Sequence, residues 1–232
     1  MPSIAHNAHP KRQTNEGAEN YAKALYELQF RGQRAVGTSA VAERLGVTRA
    51  SASGMLRRLA AEGIVEYAPY QGARLTPKGE RIALEMIRHH RLIELFLAEV
   101  LGMPWDRVHA EAEVLEHHIS EELEELIAAK LGQPGLDPHG DPIPDRDLTI
   151  EEDQSRSLDE LEIGEAGTFV RVSDRDASML RYLAEREIHP GAQLEVTGRE
   201  PFGGPVMVEI AGRPHPLGRE LAQSMRIERG AG

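Results

Sequence analysis

The chain contains no cysteine, and this absence removes several classes of chemistry. Disulfides, thiolate zinc sites, iron–sulfur clusters and thiol catalysis all need cysteine sulfur, so any metal ion must be held by nitrogen and oxygen atoms. Hydrophobic runs are also short. None approaches the roughly 20 apolar residues of a membrane-spanning helix, and the first residues lack the apolar core of a signal peptide. We therefore expect a cytoplasmic protein that does not enter a membrane.

Positive charge is scarce overall but unevenly placed. The net charge is −11, yet residues 18–80 carry 9 Lys and Arg against 6 Asp and Glu. Residues 81–131 carry 5 against 11, and residues 132–167 carry 2 against 11. Since a nucleic-acid binder needs a local basic surface rather than a basic total, only the first of these regions is a candidate.

That basic region has the pattern of a winged helix-turn-helix. A first helix is predicted from Glu19 to Phe30, and SAVAERLG and RASASGMLRRLAAEG then form two short helices separated by LGVT. IVEYAPYQGARLTPKG follows with the pattern of a β-hairpin. Candidate contacts to bases or phosphates in the leading turn are Thr48, Arg49, Ser51, Ala52 and Ser53. Candidate phosphate contacts are Arg57, Arg58, Arg74 and Lys78, with an interdomain salt bridge as the alternative for Arg58.

The rest of the chain changes from helical to strand-like patterns. Long helices are predicted from Pro77 to about Leu101 and from Asp106 to Leu131. QPGLDPHGDPIPDRD is dense in Pro, Gly and Asp, which is typical of a loop or linker. TFVRV, AQLEV, PVMVEI and MRIE then predict short strands of a small barrel, with ASMLRYLAERE as a helix between the first two. The predicted fold class is α+β.

The segment HAEAEVLEHH concentrates glutamate and histidine on one helix. At about 100° per residue, His109, Glu113, Glu116 and His117 fall within an arc of roughly 100°, whereas His118 points away. A solvated face is the common alternative for such a cluster. However, His90 and Glu94 in the preceding helix are also one turn apart. Imidazole and carboxylate donors suit manganese or ferrous iron, and they also admit zinc, cobalt or nickel in vitro.

Several of these stretches together resemble one family. NYAKALYEL, the helix-turn-helix and wing, RHHRLIELFL and RVHAEAEVLEHHISEELEE resemble the diphtheria toxin repressor family of metal-dependent regulators, including its manganese branch. From residue 168 the chain resembles the family's SH3-like, FeoA-type domain. The resemblance implies a flexible tail (1–17), a winged helix (18–80), a helical dimerisation and metal-binding domain (81–145), a linker (146–167) and the SH3-like domain (168–232).

The resemblance also implies two metal sites. The primary site takes Glu113, Glu116 and His117, joined by Asn20 of the first helix. The ancillary site takes His90, Glu94 and His109, with Asp174, rather than Asp176, from the third domain. Two positions depart from the family pattern. Asn20 replaces the usual methionine or aspartate, which leaves Glu16 or Glu19 as alternatives, and Glu113 replaces the cysteine of iron-type members, which favours manganese.

The function implied is a homodimeric, manganese- or ferrous-iron-activated repressor of metal-uptake genes. Metal bridging the DNA-binding and dimerisation domains would set the spacing of the recognition helices on an operator. The alternative is a metal-independent winged-helix regulator that responds to a small organic ligand. A metal-dependent hydrolase is disfavoured because the sequence shows no nucleophile, phosphate loop or organised acid–base pair.

Overall fold

The computed structural model describes residues 16–30, 35–150 and 155–229. The chain forms two compact units, Met1–Met86 and Ile87–Gly232, and each is described by itself below. The predicted flexible tail lies almost wholly outside the described residues.

The first unit is a winged helix. It contains α1 (Glu16–Phe30), α2 (Thr38–Arg44), α3 (Arg49–Ala61), β1 (Val65–Ala68), β2 (Gly72–Leu75) and the first part of α4 (Pro77–Glu99). Helix α3 begins where the Thr48 side chain accepts a hydrogen bond from Ser51 N, as expected of an N-cap. Strands β1 and β2 pair as an antiparallel hairpin, which is the predicted wing. The α+β class and the winged helix-turn-helix are thus confirmed.

The second unit opens with three helices. They are the rest of α4, α5 (Val108–Leu115) and α6 (Glu121–Lys130). The single helix predicted from Asp106 to Leu131 is wrong, because Ser120 accepts a hydrogen bond from Leu123 N and starts α6 as a separate helix. The chain between α5 and α6 is therefore a turn, and the helical positions assigned to residues beyond Glu116 do not apply.

The second unit ends in a small antiparallel sheet with the strand order β3-β8-β4-β5-β6-β7. Its elements are β3 (Arg156–Ser157), β4 (Ala166–Val172), α7 (Ala177–Ala184), β5 (Gln193–Arg199), β6 (Val206–Ile210), β7 (Arg213–Leu217), α8 (Arg219–Ser224) and β8 (Met225–Arg229). Phe169, Val196, Val208 and Met225 are fully buried within it. Strand β3 and a 3₁₀ helix, Leu158–Glu160, lie in the range predicted as a linker, while β7 and α8 were not predicted.

The segment 132–150 between α6 and this sheet is irregular but closely packed. Asp137, His139 and Ile143 are buried, and Val172 N donates to the carbonyl of His139. Among the described residues, no helix is both long enough and apolar enough to cross a bilayer.

Candidate metal centre

Helix α4 supplies the two side chains at the middle of the candidate metal centre. His90 and Glu94 lie one turn apart on α4, so they point to the same side. Only 4% of His90 and 0% of Glu94 is exposed. Such residues are rarely buried unless they are paired or bind a metal, so their partners decide what this part of the molecule can do.

His109 on α5 and Asp174 in the loop after β4 complete a cluster of four. His109 Nδ1 lies 3.0 Å from His90 Nε2, 3.1 Å from Glu94 Oε1 and 2.9 Å from Asp174 Oδ2. Ligand atoms that sit about 2.1 Å from an ion in octahedral geometry are about 3.0 Å from their neighbours. The structure thus brings together all four residues predicted for the ancillary site, with the spacing of one coordination sphere.

The charged groups in this cluster shift one another's pKa values. Burial alone would raise the pKa of Glu94, but His90 and His109 lower it to about 2. In the same way His109 holds the pKa of Asp174 well below its ordinary value against the effect of burial. Burial disfavours a charged His109, yet its bonds to Asp174 and Glu94 raise its pKa to about 10. In the metal-free chain, His109 therefore carries a proton at neutral pH.

Because His109 is protonated in the metal-free chain, we predict that its metal affinity depends on pH. A metal ligand must present a free lone pair, so manganese bound here displaces the proton of His109. Since that proton is lost only as pH rises toward about 10, manganese affinity should increase with pH from about 6 to 9, by up to roughly tenfold per unit. Calorimetry in buffers of different ionisation enthalpy should show proton release in wild type. Manganese binding without proton release would contradict the prediction.

Glu94 has a second set of neighbours on its other side. Its Oε2 atom lies 3.9 Å from His139 Nδ1, and Asp137 is close enough to join them around one ion. Neither Glu94 Oε2 nor His139 Nδ1 makes a hydrogen bond with the described residues. His139 Nε2 instead bonds the carbonyl of Trp105 at 2.8 Å, which leaves the Nδ1 lone pair facing the carboxylate.

Two buried acceptors that face each other without a donor are costly unless a cation lies between them. Both the kinds of donor atom around Glu94 and the distances between them therefore suit a divalent ion. The sequence analysis missed Asp137 and His139 because it assigned DPHG to a loop. The signal available was the spacing of two metal-ligand residue types, two positions apart, in that same stretch.

The three side chains predicted for the primary site lie at the end of α5. Glu116 is buried and its Oε2 atom is 2.5 Å from His90 Nδ1, so His90 contacts both the ancillary cluster and a predicted primary ligand. His117 Nε2 lies 3.6 Å from Glu116 Oε1, whereas Glu113 and His118 are exposed. Asn20 belongs to α1 of the other unit and is exposed there.

The predicted DNA-contacting residues lie on α3, the wing and the start of α4. All are at least partly exposed except Ala52, which is 0% exposed. The prediction of a surface contact for Ala52 is wrong, because this side of α3 packs into the winged-helix core with Leu56 and Leu59. Arg58 Nε lies 3.7 Å from Oε1 of Glu62, the residue that directly follows α3. Lys78 Nζ donates a hydrogen bond to the carbonyl of Glu62.

Arg49 is held by a neighbouring helix. Its Nε donates to Ser39 Oγ on α2 at 2.7 Å. The guanidinium therefore has a defined position on the exposed face of the unit.

A winged helix followed by a helical region with clustered histidine and carboxylate ligands, and then a small β domain, defines a metal-responsive transcriptional regulator. Three family models match successive parts of the chain. They are the N-terminal DNA-binding domain of iron-dependent repressors (residues 13–73), their metal-binding and dimerisation domain (76–145) and the FeoA domain (156–229).

Individual relatives agree with these matches. The iron-dependent repressor IdeR of Mycobacterium leprae is 31% identical, covering 91% of this chain and 96% of its own. The diphtheria toxin repressor of Corynebacterium diphtheriae is 28% identical, covering 90% and 96%. A solved structure of a manganese-dependent transcriptional repressor in complex with manganese has a TM-score of 0.86 and 42% identity, covering 92% and 100%. The chain belongs to the diphtheria toxin repressor family of metal-dependent transcriptional repressors, with the three-domain architecture predicted from its sequence.

Proposed function

We propose that this chain is a homodimeric repressor that binds operator DNA when manganese is bound and thereby limits expression of metal-uptake genes in the cytoplasm. The observation that carries the proposal is the cluster of His90, Glu94, His109 and Asp174, with donor atoms about 3 Å apart. Three separate stretches of the chain meet there, so an ion would fix the helical region and the β domain together. The proposed action is binding rather than catalysis.

The donor set favours manganese as the activating ion. Every candidate ligand is a carboxylate, an imidazole or an amide, and hard oxygen donors suit manganese and ferrous iron. Ferrous iron is the alternative activator, and zinc, cobalt or nickel would bind in vitro because affinity generally follows the Irving–Williams order. The relatives include an iron-dependent and a manganese-dependent repressor, which agrees with either physiological ion.

The proposed dimer uses apolar side chains of the helical region. Large apolar side chains grouped on one surface commonly mark a protein interface. Six are exposed on α5, on α6 and directly after α4, all within the residues matched by the dimerisation model. They are Val100, Leu101, Val114, Leu115, Leu123 and Leu126. A twofold dimer would present two winged helices to half-sites about 34 Å apart.

Operator affinity with manganese and with chelator tests the proposal. Both affinities are measured at the same salt concentration, because phosphate contacts make operator affinity depend on salt. We expect manganese to tighten operator binding by about 100-fold or more. A difference in affinity of this size shifts a two-state equilibrium substantially. Unchanged affinity would overturn metal activation and favour the metal-independent regulator. Metal-dependent turnover of simple esters or phosphates would favour the hydrolase instead.

Two substitutions at the predicted primary site sharpen this test. We expect Glu116→Ala and His117→Ala to abolish the manganese response, because each removes a predicted ligand. His118→Ala is the matched control and should leave the response unchanged, since His118 follows His117 in the sequence but is exposed and is not a predicted ligand. A wild-type manganese response in Glu116→Ala and His117→Ala would mean that residues 116 and 117 are not ligands. The contribution of Asn20 stays a prediction.

A further inference from the structure

A third group of metal-ligand side chains lies between α4 and α6. It consists of His89 on α4 and of Glu121 and Glu124 on α6, and one donor atom from each lies within 4.8 Å of the others. His89 and Glu124 are 1% and 6% exposed, whereas Glu121 is exposed. None of the three belongs to the ancillary or primary ligand sets described above.

The hydrogen bonds of His89 fix which ring nitrogen carries the proton. Nδ1 lies 3.1 Å from the carbonyl oxygen of Glu116, and a carbonyl only accepts, so Nδ1 is the donor. In the neutral ring Nε2 then presents a lone pair. Nε2 is 2.9 Å from Glu124 Oε2, yet it makes no hydrogen bond with the described residues. The ring nitrogen thus lies within ion-pair distance of a carboxylate oxygen but away from the direction that a ring N–H···O hydrogen bond requires.

This arrangement is what a shared cation requires. Two adjacent ligands about 2.1 Å from one ion are about 3.0 Å apart, and each lies well off the other's lone-pair axis. A hydrogen-bonded oxygen would instead lie close to the axis of the ring nitrogen. The 2.9 Å separation of His89 Nε2 and Glu124 Oε2, without a hydrogen bond, matches the first case.

The surroundings support metal ligands. Ligating histidines commonly donate their other nitrogen to a carbonyl, and ligating carboxylates accept further hydrogen bonds. His89 has the Glu116 carbonyl, and Glu124 Oε1 accepts from Arg88 Nε at 2.5 Å. The buried ion pair with Arg88 favours the ionised form of the Glu124 carboxylate.

Glu121 supplies a second carboxylate to the site. Arg88 neutralises the charge of Glu124, and without Glu121 a dication would enter a site of no net charge. The Glu121 carboxylate adds a hard oxygen donor, and the exposure of this residue leaves room for water ligands, as manganese and other divalent ions that favour hard donors prefer.

We propose that His89, Glu121 and Glu124 bind a further divalent ion of the manganese or ferrous class, distinct from those of the regulatory sites. The ion would complete its coordination with water on the open side. The proposal concerns metal content alone and does not depend on the proposed operator binding.

Equilibrium dialysis of the full chain against manganese tests the site. At a concentration that saturates wild type, Glu121→Gln should bind one ion fewer per chain. Glu122→Gln is the matched control, because residue 122 is exposed on the same helix but points about 100° away from residue 121; it should bind as many ions as wild type. His89→Asn retains a donor for the Glu116 carbonyl but lacks the Nε2 ligand, and it should also lose one ion. Unchanged manganese content in Glu121→Gln would overturn the proposal.

Anomalous diffraction from crystals of the full chain grown with manganese gives an independent test. We expect a peak within ligand distance of both His89 Nε2 and Glu124 Oε2. Crystals that show manganese beside His90 and Glu94 but no peak beside His89 would overturn the proposal and identify His89 as a protonated partner of Glu124.

Discussion

Glu94→Gln is expected to weaken manganese binding by at least about 100-fold, the upper end of the loss caused by removing even an outer partner of a ligand. The reason is that both oxygens of Glu94 face candidate ligands. Oε1 lies 3.0 Å from His90 Nε2 and 3.1 Å from His109 Nδ1, while Oε2 faces His139 Nδ1. Glutamine has nearly the same shape, but it removes the charge that an ion in this buried position requires.

Calorimetric titration with manganese measures this loss, and operator affinity measures its consequence. Glu99→Gln is the matched control, because Glu99 is exposed on the same helix and should bind manganese as wild type does. Thermal unfolding without metal should compare the stability of Glu94→Gln with that of wild type, so that a loss of folding is not mistaken for a loss of a metal ligand. Manganese affinity within a few-fold of wild type would show that Glu94 is not a ligand.

Periodicity explains which parts of this site could be predicted from the sequence. His90 and Glu94 are one helical turn apart within a long amphipathic helix, so their common direction follows from helix geometry. Thr48 before a run of helix-forming residues, and Gly63 after it, mark the ends of α3, and the alternating residues beyond it predict the wing. The winged helix and the α4 half of the metal cluster were therefore accessible from local patterns.

The remaining features depend on contacts distant in sequence. Asp137 and His139 lie in an irregular segment whose position is set by packing against β4, and no local period describes that contact. The break between α5 and α6 depends on whether Ser120 caps a new helix or continues the preceding one. Because the residues on both sides have helical periodicity, the sequence pattern did not predict this break. Ala52 was placed on the surface because its small side chain suits either an exposed or a closely packed position.

The segment that carries Asp137 and His139 depends on a glycine. Gly140 has a φ of +87°, and a Cβ atom there would lie 1.9 Å from the carbonyl oxygen of Val170 on β4. That oxygen belongs to the backbone of the sheet, so it cannot move aside as a flexible side chain would. Adjacent to this contact, Val172 N donates to the carbonyl of His139. Close approach of the two backbones therefore holds His139 beside Glu94.

Gly140→Ala is accordingly expected to destabilise the second unit by about 3 kcal/mol, from a left-handed backbone conformation that alanine tolerates poorly together with the steric clash. This corresponds to a fall of about 10 °C in the thermal midpoint of that unit. Because the clash would also push His139 and Asp137 away from Glu94, manganese should stabilise the variant less than it stabilises wild type. Differential scanning calorimetry with and without manganese measures both effects.

Gly135→Ala is the control, since a Cβ at Gly135 meets no atom within 4 Å, and its midpoint should stay within a few degrees of wild type. A wild-type midpoint in Gly140→Ala would mean that the segment can separate from β4 at little cost, and that His139 is not held in place by this contact.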